Sequence, residues 1–159
     1  MGKTSLVREL VTERVGVAGG FYTVEVRDGG QRVGFDIVTL SGEVAPLARV
    51  GLRSPCRVGK YGVDVESLER VGVRALLSAI RSCAVVVCDE IGKMELESTA
   101  FREAVDSALS STKPVLGTIM LAHHLWADRV KSLPQVSVVE LHRGNRQQVR
   151  WQVLDWMGP

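Results

Sequence analysis

The chain has 159 residues, 45% hydrophobic and 24% charged, with 20 basic and 18 acidic side chains and a formal net charge of +2. That size and mix suit one domain over residues 1–159 with a core that needs no disulfides or metals. The near-balance of charge gives no reason to expect nucleic acid or an anionic membrane as partner.

No run approaches the roughly 20 apolar residues of a membrane span. The first residues show no apolar signal core, so a cytoplasmic protein is expected, acting as a monomer. Cys56, Cys83 and Cys88 are odd in number and lack a C-x-x-C pair, and they read as reduced thiols.

From Thr4 to Arg14, Leu6, Val7, Leu10 and Val11 recur at helical spacing, and the glycines at 16, 19 and 20 end the pattern. Phe21 to Val26 and Arg32 to Leu40 read as strands joined by the turn Asp28-Gly29-Gly30. Ser41 to Arg57 is rich in turn formers and is expected to be an irregular excursion over the surface. A short strand, Gly59 to Val65, precedes a helix whose one face carries Leu68, Val71, Ala75, Leu76, Ala79 and Ile80.

Ala84 to Cys88 is a continuous apolar run, the mark of a strand buried on both faces of a parallel sheet. There follow a helix around Phe101 to Leu109, a strand Pro114 to Met120 and a helix Leu125 to Val130. A strand Val136 to Leu141 and a helix Asn145 to Met157 close the chain. This alternation predicts an α/β fold with right-handed crossovers.

Two segments carry chemistry. Gly2-Lys3-Thr4 stands directly before the first amphipathic helix, matching the last three positions of a phosphate-binding loop, G-x-x-x-x-G-K-[ST]. In such a loop the helix N-terminus and lysine hold phosphates and the hydroxyl binds magnesium. The bland alternative is a helix start with an exposed lysine.

Val85-Val86-Val87-Cys88-Asp89-Glu90 runs a buried strand into two carboxylates, the Walker B pattern. There an aspartate holds magnesium and an adjacent glutamate polarises water. A strand that simply stops at a solvated loop is the competing explanation.

The segments Phe21-Tyr22-Thr23, Gly34 to Gly42, Arg57-Val58-Gly59 with Tyr61, and Asp89-Glu90-Ile91-Gly92-Lys93-Met94-Glu95-Leu96 together resemble the cancer-related nucleoside-triphosphatase family. Leu116-Gly117-Thr118-Ile119 and Asn145-Arg146 fit the same pattern. The resemblance implies a P-loop NTPase fold related to nucleotide kinases: three layers, α/β/α, around a mostly parallel central sheet. It implies magnesium-dependent hydrolysis of nucleoside triphosphates with little base selectivity.

On that resemblance Gly2, Lys3 and Thr4, with Ser5 beside them, hold the triphosphate. Thr4 and Asp89 hold magnesium, and Glu90 is the base. Arg57, Lys93 and Arg146 are further candidates for phosphate or base contacts. Family members carry a strand and a complete glycine-rich loop before the lysine. The first strand and most of the Walker A loop are therefore expected to be missing here, leaving neighbouring strands without a partner.

Two other readings stay open on the sequence. One is a kinase passing the γ-phosphate to a small molecule or nucleotide; the other is a catalytically inactive nucleotide fold. His123, His124 and His142 show no ligand spacing. Trp126, Trp151 and Trp156 are expected to pack helices onto the sheet.

Overall fold

The computed structural model describes residues 2–13 and 16–159; Met1 and Arg14, the expected last residue of the first helix, lie outside them. Helix α1 (Lys3–Glu13) buries Leu6, Val7 and Leu10, the stripe its spacing predicts. Strands β1 (Ala18–Asp28) and β2 (Gln31–Thr39) form an antiparallel hairpin through Gly29 and Gly30, with Phe21 opposite Thr39.

The stretch expected to be irregular holds a third strand, β3 (Val44–Val50), antiparallel to β2. Pro46 and the flanking glycines hid it, because proline cannot donate to a ladder. The register shift between Phe35 and Asp36 falls where Asp36 faces Pro46, so the proline sits at an irregularity. Two short strands, β4 (Arg57–Val58) and β5 (Tyr61–Val63), extend the sheet beyond β3.

The Asp64 carboxylate then accepts from the Ser67 backbone N–H at 2.9 Å and starts α2 (Val65–Ser67). The helix continues as a π-helical stretch, Leu68–Val73, into α3 (Arg74–Ser82). Next come β6 (Val85–Ile91) and a 3₁₀ turn, Glu95–Glu97. Ser98 caps α4 (Thr99–Ser110) by accepting from the Phe101 N–H at 3.0 Å. Strand β7 (Val115–Ile119) and helices α5 (Leu125–Lys131) and α6 (Arg146–Met157) complete the order.

The strand order is β4-β5-β3-β2-β1-β6-β7. Parallel pairing is confined to β1, β6 and β7; the β2 to β5 side is antiparallel. The sheet is thus mixed, with the parallel character where the site lies.

Alternate residues of β6 serve opposite faces. Val86 and Cys88 join a core with Phe21, Leu76 and Phe101 under α3 and α4. Val85 and Val87 pack with Val7 of α1, and Leu6, Leu10 and Val149 join α1 to α6. This is the three-layer α/β/α arrangement.

Two further expectations fail. Val136 to Leu141 is not a strand: it has no regular structure, is largely exposed and has no ladder. β-branched composition favours a strand only where a neighbour accepts its backbone groups. Among the described residues nothing pairs with the outer edge of β7. Trp151 and Trp156 do not pack onto the sheet either, being 61% and 51% exposed on α6. Trp126 does pack against the main core. No helix among the described residues is long and apolar enough to cross a membrane.

Candidate active site

Strand β6 is buried from Val85 to Asp89, which carries Asp89 to the carboxyl edge of the parallel strands at 1% exposure. Ligands bind at that edge in α/β sheets. The ladder to β7 is irregular just here: Cys88 faces Gly117 and Ile91 faces Ile119, so β6 spends one more residue than β7 between them. The extra residue is a bulge that sets both Asp89 and Glu90 at the edge.

Helix α1 delivers the opposing wall. The Lys3 ammonium donates to Glu90 Oε2 at 3.2 Å, with both side chains partly exposed. Thr4, next on the helix, turns its hydroxyl toward Asp89. The helix start and the acidic corner, 87 residues apart in sequence, therefore meet.

Asp89 is held asymmetrically. The Thr118 hydroxyl of β7 donates to Oδ1 at 2.5 Å. Oδ2 is buried with no hydrogen-bond partner. Burial raises the Asp89 pKa above the ordinary carboxylate value; the Thr118 hydrogen bond and the nearby Thr4 hydroxyl act against that, Glu90 adds to it and Lys3 opposes it. A buried, unpartnered carboxylate oxygen is costly unless a cation completes it. Together with the Thr4 hydroxyl it forms a hard-oxygen donor set that fits magnesium.

The other expected residues lie as follows. Gly2 and Ser5 are exposed at the helix start, and Ser5 lines an open depression along α1 with Thr4, Arg8, Glu9 and Thr12. Lys93 is exposed on the turn after β6. Arg57 is not brought to this corner: it lies on β4, the far edge of the sheet, donating to the carbonyls of Leu52 and Lys60. Arg146 donates to Glu9 Oε2 at 2.9 Å, six positions along α1 from Lys3.

Among the histidines, His124 caps α5, its Nδ1 accepting from the Trp126 N–H, and His123 pairs with Asp128. Cys56, Cys83 and Cys88 are free thiols.

Two residues had no role assigned from sequence. Thr118 was readable only as part of the family pattern; its signal was a hydroxyl near the carboxyl end of a strand expected beside β6. Glu95 is a buried carboxyl at 3% exposure, and its Oε2 and the Glu90 side chain lie on the same side of Gly92. The signal there was a lone acid between Met94 and Leu96.

Comparison with known proteins identifies the family. The sequence profile of a family described as NTPase matches residues 1–154. The chain is 46% identical over 154 residues to nucleoside-triphosphatase THEP1 of Thermotoga petrophila, covering 97% of this chain and 86% of that protein. It is 48% identical over 132 residues to the human cancer-related nucleoside-triphosphatase, covering 75% of this chain and 70% of that one. The crystal structure of THEP1 from Aquifex aeolicus superposes with a TM-score of 0.92 at 33% identity, covering 99% of this chain and 94% of the other. On its sequence, its sheet and its acidic corner, the chain belongs to the NTPase family.

Proposed function

We propose that this chain hydrolyses nucleoside triphosphates to the diphosphate and inorganic phosphate. Lys3 and the α1 N-terminus hold the polyphosphate, Thr4 and Asp89 hold magnesium, and Glu90 is the base. The observation that carries the reading is the Lys3–Glu90 contact at 3.2 Å beside the unpartnered buried oxygen of Asp89. One corner thereby joins a phosphate-binding cation, a proton acceptor and a hard oxygen suited to a divalent ion. Family membership supports hydrolysis, as does the activity named for relatives at 46% and 48% identity.

Magnesium, when bound, neutralises charge on the phosphate oxygens. Thr118 fixes Asp89 by one oxygen and leaves the other for that ion. Lys3 and Glu90 neutralise each other in the free chain. A polyphosphate at the helix N-terminus competes for the ammonium and frees Glu90 Oε2. The carboxylate then accepts a proton from a water whose oxygen bonds to the γ-phosphorus as the bond to the β-phosphate oxygen breaks. Positioning and electrostatics account for most of the rate in such transfers.

Glu90→Gln tests the assignment. The expected result is triphosphate affinity, measured by calorimetry with a non-hydrolysable analogue, within about threefold of the parent, with phosphate release reduced by roughly tenfold or more. Parental turnover by this variant would remove Glu90 from the mechanism.

A further inference from the structure

The turn after β6 folds a third carboxylate under the acidic corner. The Leu96 N–H donates to the Gly92 carbonyl at 3.0 Å and closes the turn. Glu95 is thereby drawn inside, at 3% exposure. Gly92 shows how the two glutamates sit. Glu95 Oε2 and Glu90 Cγ each lie 3.0 Å from the point where a β-carbon on Gly92 would be, with Glu90 Cδ at 3.3 Å. Both side chains therefore crowd one side of a residue that has no side chain of its own.

We propose that Glu95 is a positioning residue for Glu90: its buried carboxyl, set beside Glu90 in the space that Gly92 leaves free, fixes the side-chain conformation from which Glu90 acts. This rests on Glu90 being the base. A flexible glutamate on an open edge has many rotamers, and a base must stay within hydrogen-bond reach of the water it activates. Lys3 restrains Glu90 from the front in the free chain but is drawn to phosphate when substrate binds. Glu95 restrains it from behind in either state.

The surroundings favour the neutral form of Glu95. Burial pushes its pKa up to about 8, with Glu90 and Asp89 adding to the rise and the N–H groups of Glu95 and Gly92 opposing it. Cys88 of β6 shares the same field. On α4, packed on this turn, Asp106 is tied to Arg129, Arg102 bonds Thr99 and Glu103 is exposed. Glu69 of the π-helical stretch accepts from Ser98. Lys93 on the turn is exposed. A neutral Glu95 packs against Glu90 without repelling it; an ionised one adds a third negative charge beside the polyphosphate.

The test compares Glu95→Gln, Glu95→Ala and Glu90→Gln in magnesium-triphosphate hydrolysis from pH 6 to 9.5, with the Glu90 side-chain rotamer read from NMR couplings in the metal-free chain. Glu95→Gln is expected to keep kcat at pH 7 within about threefold and to lack the parent's decline above about pH 8. Glu95→Ala is expected to lower kcat about tenfold with analogue affinity unchanged, and to let the Glu90 side chain average over several rotamers. A Glu95→Ala variant with parental kcat and an unchanged Glu90 rotamer overturns the proposal, as does a Glu95→Gln variant that keeps the alkaline decline. If Glu95→Ala does not fold, the Glu95→Gln pH profile and the Glu90 rotamer in that variant decide. Parental turnover by Glu90→Gln instead sinks the assignment of the base, and this inference with it.

Discussion

The acidic corner puts opposing demands on single residues. Glu95 titrates near 4.5 in an unfolded chain and about 8 when folded. Between those values the folded state keeps a proton that the unfolded state has released. Stability is therefore full below about pH 4.5, falls as pH rises toward about 8 and then levels. At about 1.4 kcal/mol per pKa unit the whole effect is on the order of several kcal/mol. Asp89, also raised by burial, acts in the same direction.

In metal-free denaturant titrations, Glu95→Gln should exceed the parent in stability by several kcal/mol at pH 9 and match it near pH 4.5. A stability difference independent of pH would contradict this account. At this scale the sequence was partly legible: Lys3, Thr4, Asp89 and Glu90 were readable because their types and order match a known chemistry. Glu95 and Thr118 were not, because burial and a partner on another strand set their roles.

At the scale of elements, β6 announced itself: a strand covered on both faces must be apolar at every position, so Val85 to Cys88 needed no context. Strand β3 did not, since its proline reads as a break unless the matching irregularity in β2 is known. Val136 to Leu141 erred in the other direction, having strand composition and no ladder.

The contact that aligns β1 with β6 depends on Gly20, whose φ is +116° and whose absent β-carbon would lie 2.0 Å from the Val87 carbonyl oxygen. Both the conformation and the space exclude a side chain. Gly20→Ala should destabilise the chain by about 3 kcal/mol or more, read from its urea midpoint. A parental midpoint would show that β1 and β6 can separate without cost.

Across the whole molecule, α1 connects the site to the carboxyl-terminal helix. Glu9 accepts from Arg146 Nη2 at 2.9 Å and from Arg150 Nε at 2.7 Å, and Arg150 also pairs with Glu13. Leu6, Leu10 and Val149 pack beneath these pairs. Helix α6 thus sets the pose of the helix whose first residue is Lys3. Arg150→Met should lower the melting temperature by a few degrees at low salt, with the gap narrowing at high salt because the pairs are partly exposed. An identical melting curve at low salt would show that apolar packing alone holds α6.

By itself the sequence determined the helical faces, the buried strand and the two chemical motifs. Each is written in residues a few positions apart, where periodicity and covalent order act directly. Only the tertiary structure decided that Lys3 meets Glu90, that Asp89 leans on Thr118 with one oxygen unpartnered, and that Glu95 lies beneath them. Those contacts join segments separated by up to 87 residues or depend on burial, and no local pattern encodes them.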